Sequence, residues 1–234
     1  MDIQDRIGKY LANGRSWYTR NVNTIKVFSV HHDAIPHDNR TPDQVMQSIF
    51  GIHNGKNGWP GMSYHYYIHR DGQIFQVNKH EWVTWIDGVN WDAIGIVLNG
   101  YFHPDKNNKP TEAQLKSLKF LLDKLSTKHP EFPASQKDTY GHRERASTAC
   151  PGNETFPYVK EYRDKLGQVS WGASTPTPPT PTPTIPEVIE NQEQKIKILG
   201  EVKHIREVAE ILTDKNKTIS ELSTKINNAR TALS

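Results

Sequence analysis

The chain has 234 residues, of which 24% are charged and 35% hydrophobic, with a formal net charge of +3. That is an ordinary water-facing composition with room for one sizeable domain and further segments, and the charge is too mild to indicate a nucleic-acid partner. A single cysteine excludes an internal disulfide and with it a disulfide-stapled scaffold. The N-terminus, MDIQDRIGKY, lacks the apolar core of a signal peptide. No run reaches the roughly 20 apolar residues of a membrane span. The expectation is synthesis in the cytoplasm, without membrane insertion.

Residues 1–22 are polar, and Asp2 to Leu11 suggests a short helix ended by Gly14. A β-branched run over about residues 24–31, with Ile25, Val27 and Val30, predicts a first buried strand that ends on His31 and His32. Thr41-Pro42-Asp43-Gln44 predicts a helix start, with Thr as N-cap, Pro at the first helical position and Gln three after the cap. The Gly- and Asn-rich stretch from Gly51 to Gly61 should end that helix. In Ser63 to Val77, two aromatic and β-branched runs flank Asp71-Gly72 and predict a hairpin. Ala93 to Gly100 is apolar enough for a central strand. Thr111-Glu112-Ala113-Gln114 opens a second helix, running to about Lys128, with Leu115, Leu118, Leu122 and Leu125 on one face. A last helix covers about residues 156–166 and closes at Gly167. Strands interspersed with helices give an α/β domain, a mostly β central sheet flanked by helices, over residues 1–172.

Residues 173–186 are almost entirely alternating Thr and Pro, which predicts an extended polyproline linker. Residues 187–234 carry apolar positions stepping by three and four: Ile205, Val208, Leu212, then Ile219, Leu222, Ile226, Ala229 and Leu233. Lys215 interrupts the seam. This stripe predicts a helical tail that self-associates as a coiled coil, against the alternative of one helix folding back on the domain.

Chemistry concentrates in YGHRERASTACPG, Tyr140 to Gly152. His142 and Cys150 lie eight residues apart, and imidazole nitrogen with thiolate sulfur is a ligand pair suited to Zn²⁺. Two ligands do not hold a catalytic ion. The best source of a third is the His31-His32 pair at the end of the first strand. Three protein ligands leave one position for water, the arrangement of a hydrolytic zinc site.

With these residues in place, the chain resembles the zinc amidases that cut N-acetylmuramoyl-L-alanine bonds, the family of bacteriophage amidase-type lysozymes and peptidoglycan recognition proteins. The resemblance runs from about Ile25 to Leu166. It rests on VHH ending the first strand, YHYYIHRDG, IGIVLNG, PTEAQ and GHRERASTACPG, in that order and spacing. It implies zinc held by His31, His142 and Cys150, with His32 as a neighbour, and catalytic assistance from Tyr64 and Thr148. From the residues alone, Tyr64 would be read as a core-facing strand aromatic. The resemblance also implies peptidoglycan as the partner and delivery to the cell wall by a holin, as for a phage or prophage endolysin. One departure stands out. Relatives often carry Trp-His where this chain has Trp85-Ile86-Asp87-Gly88, so Asp87 or His80 takes over that contact or it is absent. Trp59, Trp82, Trp85 and Trp91 cluster around the hairpin and read equally as a glycan-lining set or as core.

Two other functions compete. A peptidoglycan-binding module without catalysis would fit the Ile86 departure, but Cys150 argues against it. An interaction factor acting through the tail would keep its function without zinc.

Overall fold

The computed structural model describes residues 1–85, 91–106, 108–128 and 132–171. Ile86, Asp87, the expected linker (173–186) and the expected helical tail (187–234) fall outside these residues. The sheet has six strands: β1 (Ile3–Asp5), β3 (Val27–His32), β4 (Tyr66–Ile68), β5 (Ile74–Gln76), β7 (Ala93–Leu98) and β8 (Thr139–Gly141), in the order β1-β5-β4-β7-β3-β8. Only the β4–β5 hairpin is antiparallel; β4, β7, β3 and β8 run parallel. A separate antiparallel pair joins β2 (Tyr18–Thr19) and β6 (Trp82–Val83).

The two central strands are buried along their whole length, as expected where both faces of a parallel sheet are covered. Phe28, Val30, Tyr66, Ile94 and Ile96 pack on one face with Leu118, Leu121 and Leu122 of α2 (Glu112–Lys128) and Val159 and Tyr162 of α3 (Phe156–Asp164). On the other face Tyr67, Phe75 and Val97 meet Val45, Met46 and Ile49 of α1 (Pro42–Phe50). Alternation along β3 sends Ser29 and His31 to this second face, because successive strand side chains point to opposite sides.

Both expected capping boxes form. Gln44 N–H donates to Thr41 Oγ1 at 3.4 Å while Thr41 N–H donates to Gln44 Oε1 at 2.9 Å. Thr111 and Gln114 repeat the exchange at 3.0 and 3.1 Å. The hairpin turns at Asp71-Gly72, where Gly72 takes φ +88°.

Two expectations change. Residues 2–11 hold no helix: Ile3–Asp5 pairs in parallel with the exposed edge of β5, Ile3 opposite Ile74. A free sheet edge offers a full set of backbone partners, which outweighs weak local helix preference in a polar segment. The Gly-Asn stretch after α1 does not stop the helix at once; Gly51–Lys56 continues it as a π-helical turn before Gly58 reverses the chain at φ +70°. Among the described residues, no helix is long and apolar enough to cross a membrane.

Candidate metal centre

The parallel register of β3 with β8 pairs Val30 with Gly141, so His31 and the following His142 emerge side by side. Their rings lie 4.5 Å apart. The chain then makes a 3-10 turn (His142–Glu144) and a loop that returns Cys150 to the same place. Arg143 N–H donates to Cys150 O at 2.8 Å, closing that loop. The Arg143 guanidinium bonds Ala149 O and, at 2.9 Å, Asn153 Oδ1, and lies 5.0 Å over the Phe156 ring. Glu144 accepts from Gly141 N–H and from Arg163 Nη1, both at 2.9 Å. Gly152 ends the loop at φ +91°, where a Cβ would come within 2.2 Å of Phe102 O.

One donor atom from each of His31, His142 and Cys150 lies within 4.8 Å of the others. His31 Nδ1 is 3.7 Å from Cys150 Sγ. A tetrahedral ion at about 2.3 Å from sulfur and about 2.05 Å from nitrogen requires those atoms about 3.6 Å apart. The donor set therefore fits a metal such as zinc in both chemistry and spacing.

Electrostatics point the same way. Burial, then the positive charge of nearby His142, holds His31 well below its ordinary range, so its imidazole is neutral and keeps a lone pair. Burial pushes the Cys150 thiol up to about 12, although His32 N–H, 3.4 Å from Sγ, partly opposes this. A buried thiolate needs a compensating cation, and a divalent ion between these three side chains would supply one.

Tyr64 sits beside the centre, its ring 5.4 Å from that of His31. Burial, then the Cys150 and Asp33 charges, raises its phenol well above the usual range, so it stays protonated. Its hydroxyl makes no hydrogen bond among the described residues. Thr148 is exposed, and its Oγ1 accepts from Cys150 N–H at 3.3 Å. The structure thus gathers His31, His142, Cys150 and Tyr64, and ties Thr148 to the cysteine turn by its hydroxyl. His32 turns to the other side of the strand, where its Nδ1 accepts from Phe102 N–H at 3.4 Å.

His80, one of the two residues named for the contact at Ile86, lies on the helical side of the sheet. Its Nε2 is 2.6 Å from the hydroxyl of Tyr66, which packs on the helical face with α2, and its ring meets Phe132. Asp87 is outside the described residues. Of the clustered tryptophans, Trp59, Trp82 and Trp85 are half-buried or nearly so, and Trp91 is 55% exposed. Trp91 stacks at 6.4 Å on Tyr18, which is 65% exposed.

Sequence reasoning missed two residues here. Ser29 Oγ lies 3.0 Å from His31 Nε2; its position two before a strand-end histidine, on the same face, was a usable signal. His53 is buried between Trp59 and Tyr64, its Nδ1 accepting from Ser63 N–H at 3.0 Å. Nothing in its Gly-Asn surroundings marks it.

The described residues thus form a six-stranded mixed sheet flanked by helices, with a His-His-Cys cluster that could hold a metal ion. Residues 21–153 match the N-acetylmuramoyl-L-alanine amidase family, and the chain belongs to that family. Among solved structures it is similar to the endolysine N-acetylmuramoyl-L-alanine amidase LysCS from Clostridium intestinale, at 26% identity and a TM-score of 0.53, covering 70% of this chain and 95% of that one. It is 28% identical over 119 residues to peptidoglycan-recognition protein SC2 of Drosophila melanogaster, covering 50% of this chain and 61% of the relative. It is 25% identical over 138 residues to an N-acetylmuramoyl-L-alanine amidase of Mus musculus, covering 57% of this chain and 25% of the relative. The chain thus spans between a quarter and three-fifths of these two relatives' lengths.

Proposed function

We propose that this domain hydrolyses the amide between N-acetylmuramic acid and L-alanine in bacterial peptidoglycan, using zinc held by His31, His142 and Cys150, and that it serves a phage or prophage as an endolysin. The observation that carries the reading is the convergence of His31 Nδ1, Cys150 Sγ and a His142 ring nitrogen beside a buried, protonated tyrosine. The endolysin role is supported by the likeness to LysCS.

Bound zinc would supply a Lewis acid and a water acidified to near neutrality. The chain's own groups do the rest. Neutral His31, His142 and the thiolate of Cys150 would hold the ion through their lone pairs. Tyr64 keeps its proton at neutral pH, so its free hydroxyl donates to the oxygen of the scissile carbonyl as negative charge develops there. Water adds to that carbon, the proton it gives up passes to the departing nitrogen, the C–N bond breaks, and the products are the muramic acid carboxyl and L-alanine with a new amino terminus. Thr148 Oγ1 holds the Cys150 amide and so fixes the sulfur. The exposed faces of Tyr18 and Trp91 suit the apolar face of a sugar ring. The tail is proposed to self-associate, separately from the cutting domain.

The test is release of new L-alanine amino termini from purified cell walls, comparing the protein with Cys150→Ser and with zinc-stripped and zinc-restored samples. A peptidoglycan-binding module without catalysis, the reading suggested by the recognition-protein relative, would bind walls and release none.

A further inference from the structure

We infer that Ser29 is the positioning residue that holds the His31 ring by its Nε2 and thereby keeps Nδ1 aimed at the metal. The inference rests on the zinc reading above. Ser29 lies two residues before His31 on β3, so both side chains share a face of the sheet. It is fully buried in the middle of the sheet, paired in register with Gly95 of β7 and Tyr140 of β8. Its neighbours along the strand are Val27, Phe28 and Val30. A hydroxyl in that setting needs a hydrogen-bond partner, and among the described residues its partner is His31 Nε2 at 3.0 Å.

A neutral imidazole carries one N–H, and a bond that holds one ring nitrogen leaves the other to ligate. When Nε2–H donates to Ser29 Oγ, Nδ1 is bare and faces Cys150 Sγ at 3.7 Å. The serine hydroxyl also works in reverse. In the metal-free protein it can turn and donate to Nε2, leaving Nδ1–H directed at the sulfur. Ser29 therefore satisfies the ring in both states, and the change between them needs only a hydroxyl rotation and a proton shift across the ring. Alanine cannot hold the ring in either state, whereas threonine keeps the hydroxyl on a strand that suits β-branching.

The test measures zinc affinity of the full chain by competition with a chromophoric chelator, for the wild type, Ser29→Ala and Ser29→Thr. Thermal unfolding of each zinc-free protein is followed in parallel. Ser29→Ala should weaken zinc binding about 10- to 100-fold, and Ser29→Thr should restore most of it. A purely structural serine would lower the zinc-free unfolding temperature and leave the affinity unchanged, and that result overturns the inference. If Ser29→Ala fails to fold, two-bond ¹H–¹⁵N spectra of the zinc-loaded wild type decide: a proton on His31 Nε2 supports the inference, and one on Nδ1 overturns it. Failure of the wild type to bind zinc at all removes the metal reading and this inference with it.

Discussion

His53 should make the domain acid-sensitive in a calculable way. It is buried at 9% exposure, and burial holds its pKa at about 4 against an ordinary 6.5. Above pH 6.5 neither the folded nor the unfolded chain protonates this ring, so its contribution is fully present. As pH falls through 6.5 the unfolded chain takes up a proton that the folded one refuses, and stability drops until the folded pKa is reached near 4. Linkage over that interval costs about 2 kcal/mol at pH 5 and about 3 kcal/mol at pH 4. His53→Asn removes the titration and keeps an acceptor for Ser63 N–H. The variant should be the less stable protein at pH 8, because it loses packing against Trp59 and Tyr64. Between pH 8 and pH 5 the difference should move about 2 kcal/mol in its favour. The assay is urea unfolding of both proteins across that range with chelator present, which leaves the other buried histidines, His32 and His65 among them, common to both. Parallel stability curves would refute the argument.

Tyr64→Phe should cut amide hydrolysis about 100- to 1,000-fold, as for loss of one oxyanion donor, with stability changed by under about 0.5 kcal/mol because the hydroxyl has no bond to lose; kinetics and thermal unfolding read the two effects separately. Gly152→Ala places a Cβ against Phe102 O at a left-handed φ, so it should destabilise by at least about 2 kcal/mol and weaken zinc binding together with it. Residues 1–172 alone should keep the cutting activity, since every proposed site residue lies within them; a folded but inactive truncation would contradict the separation of roles.

The long elements were readable because each carried its own signal. Thr41 and Thr111 announced their helices through side chains that bond the first turn, β7 through an unbroken apolar run and β3 through its β-branched residues. The strands that went unread, β2, β6 and β8, are two or three residues long, too short for a period to register. β1 was misread because its stability comes from β5, seventy residues away, and not from its own residues. In the site, His142 and Cys150 stood out by chemical type, and the resemblance selected His31 over His32; strand alternation explains the choice, since only His31 shares the face of Ser29. The bond between His80 and the hydroxyl of Tyr66 is a tertiary fact that spacing does not contain.

The most direct measurement is the count of new L-alanine amino termini released from purified cell walls by the intact protein, by Cys150→Ser, and by protein stripped with a chelator and then resupplied with zinc. The account predicts release by the intact protein, loss on stripping with recovery on adding zinc, and none from Cys150→Ser. Equal release from all three, or walls bound and left uncut by the zinc-loaded wild type, would contradict it.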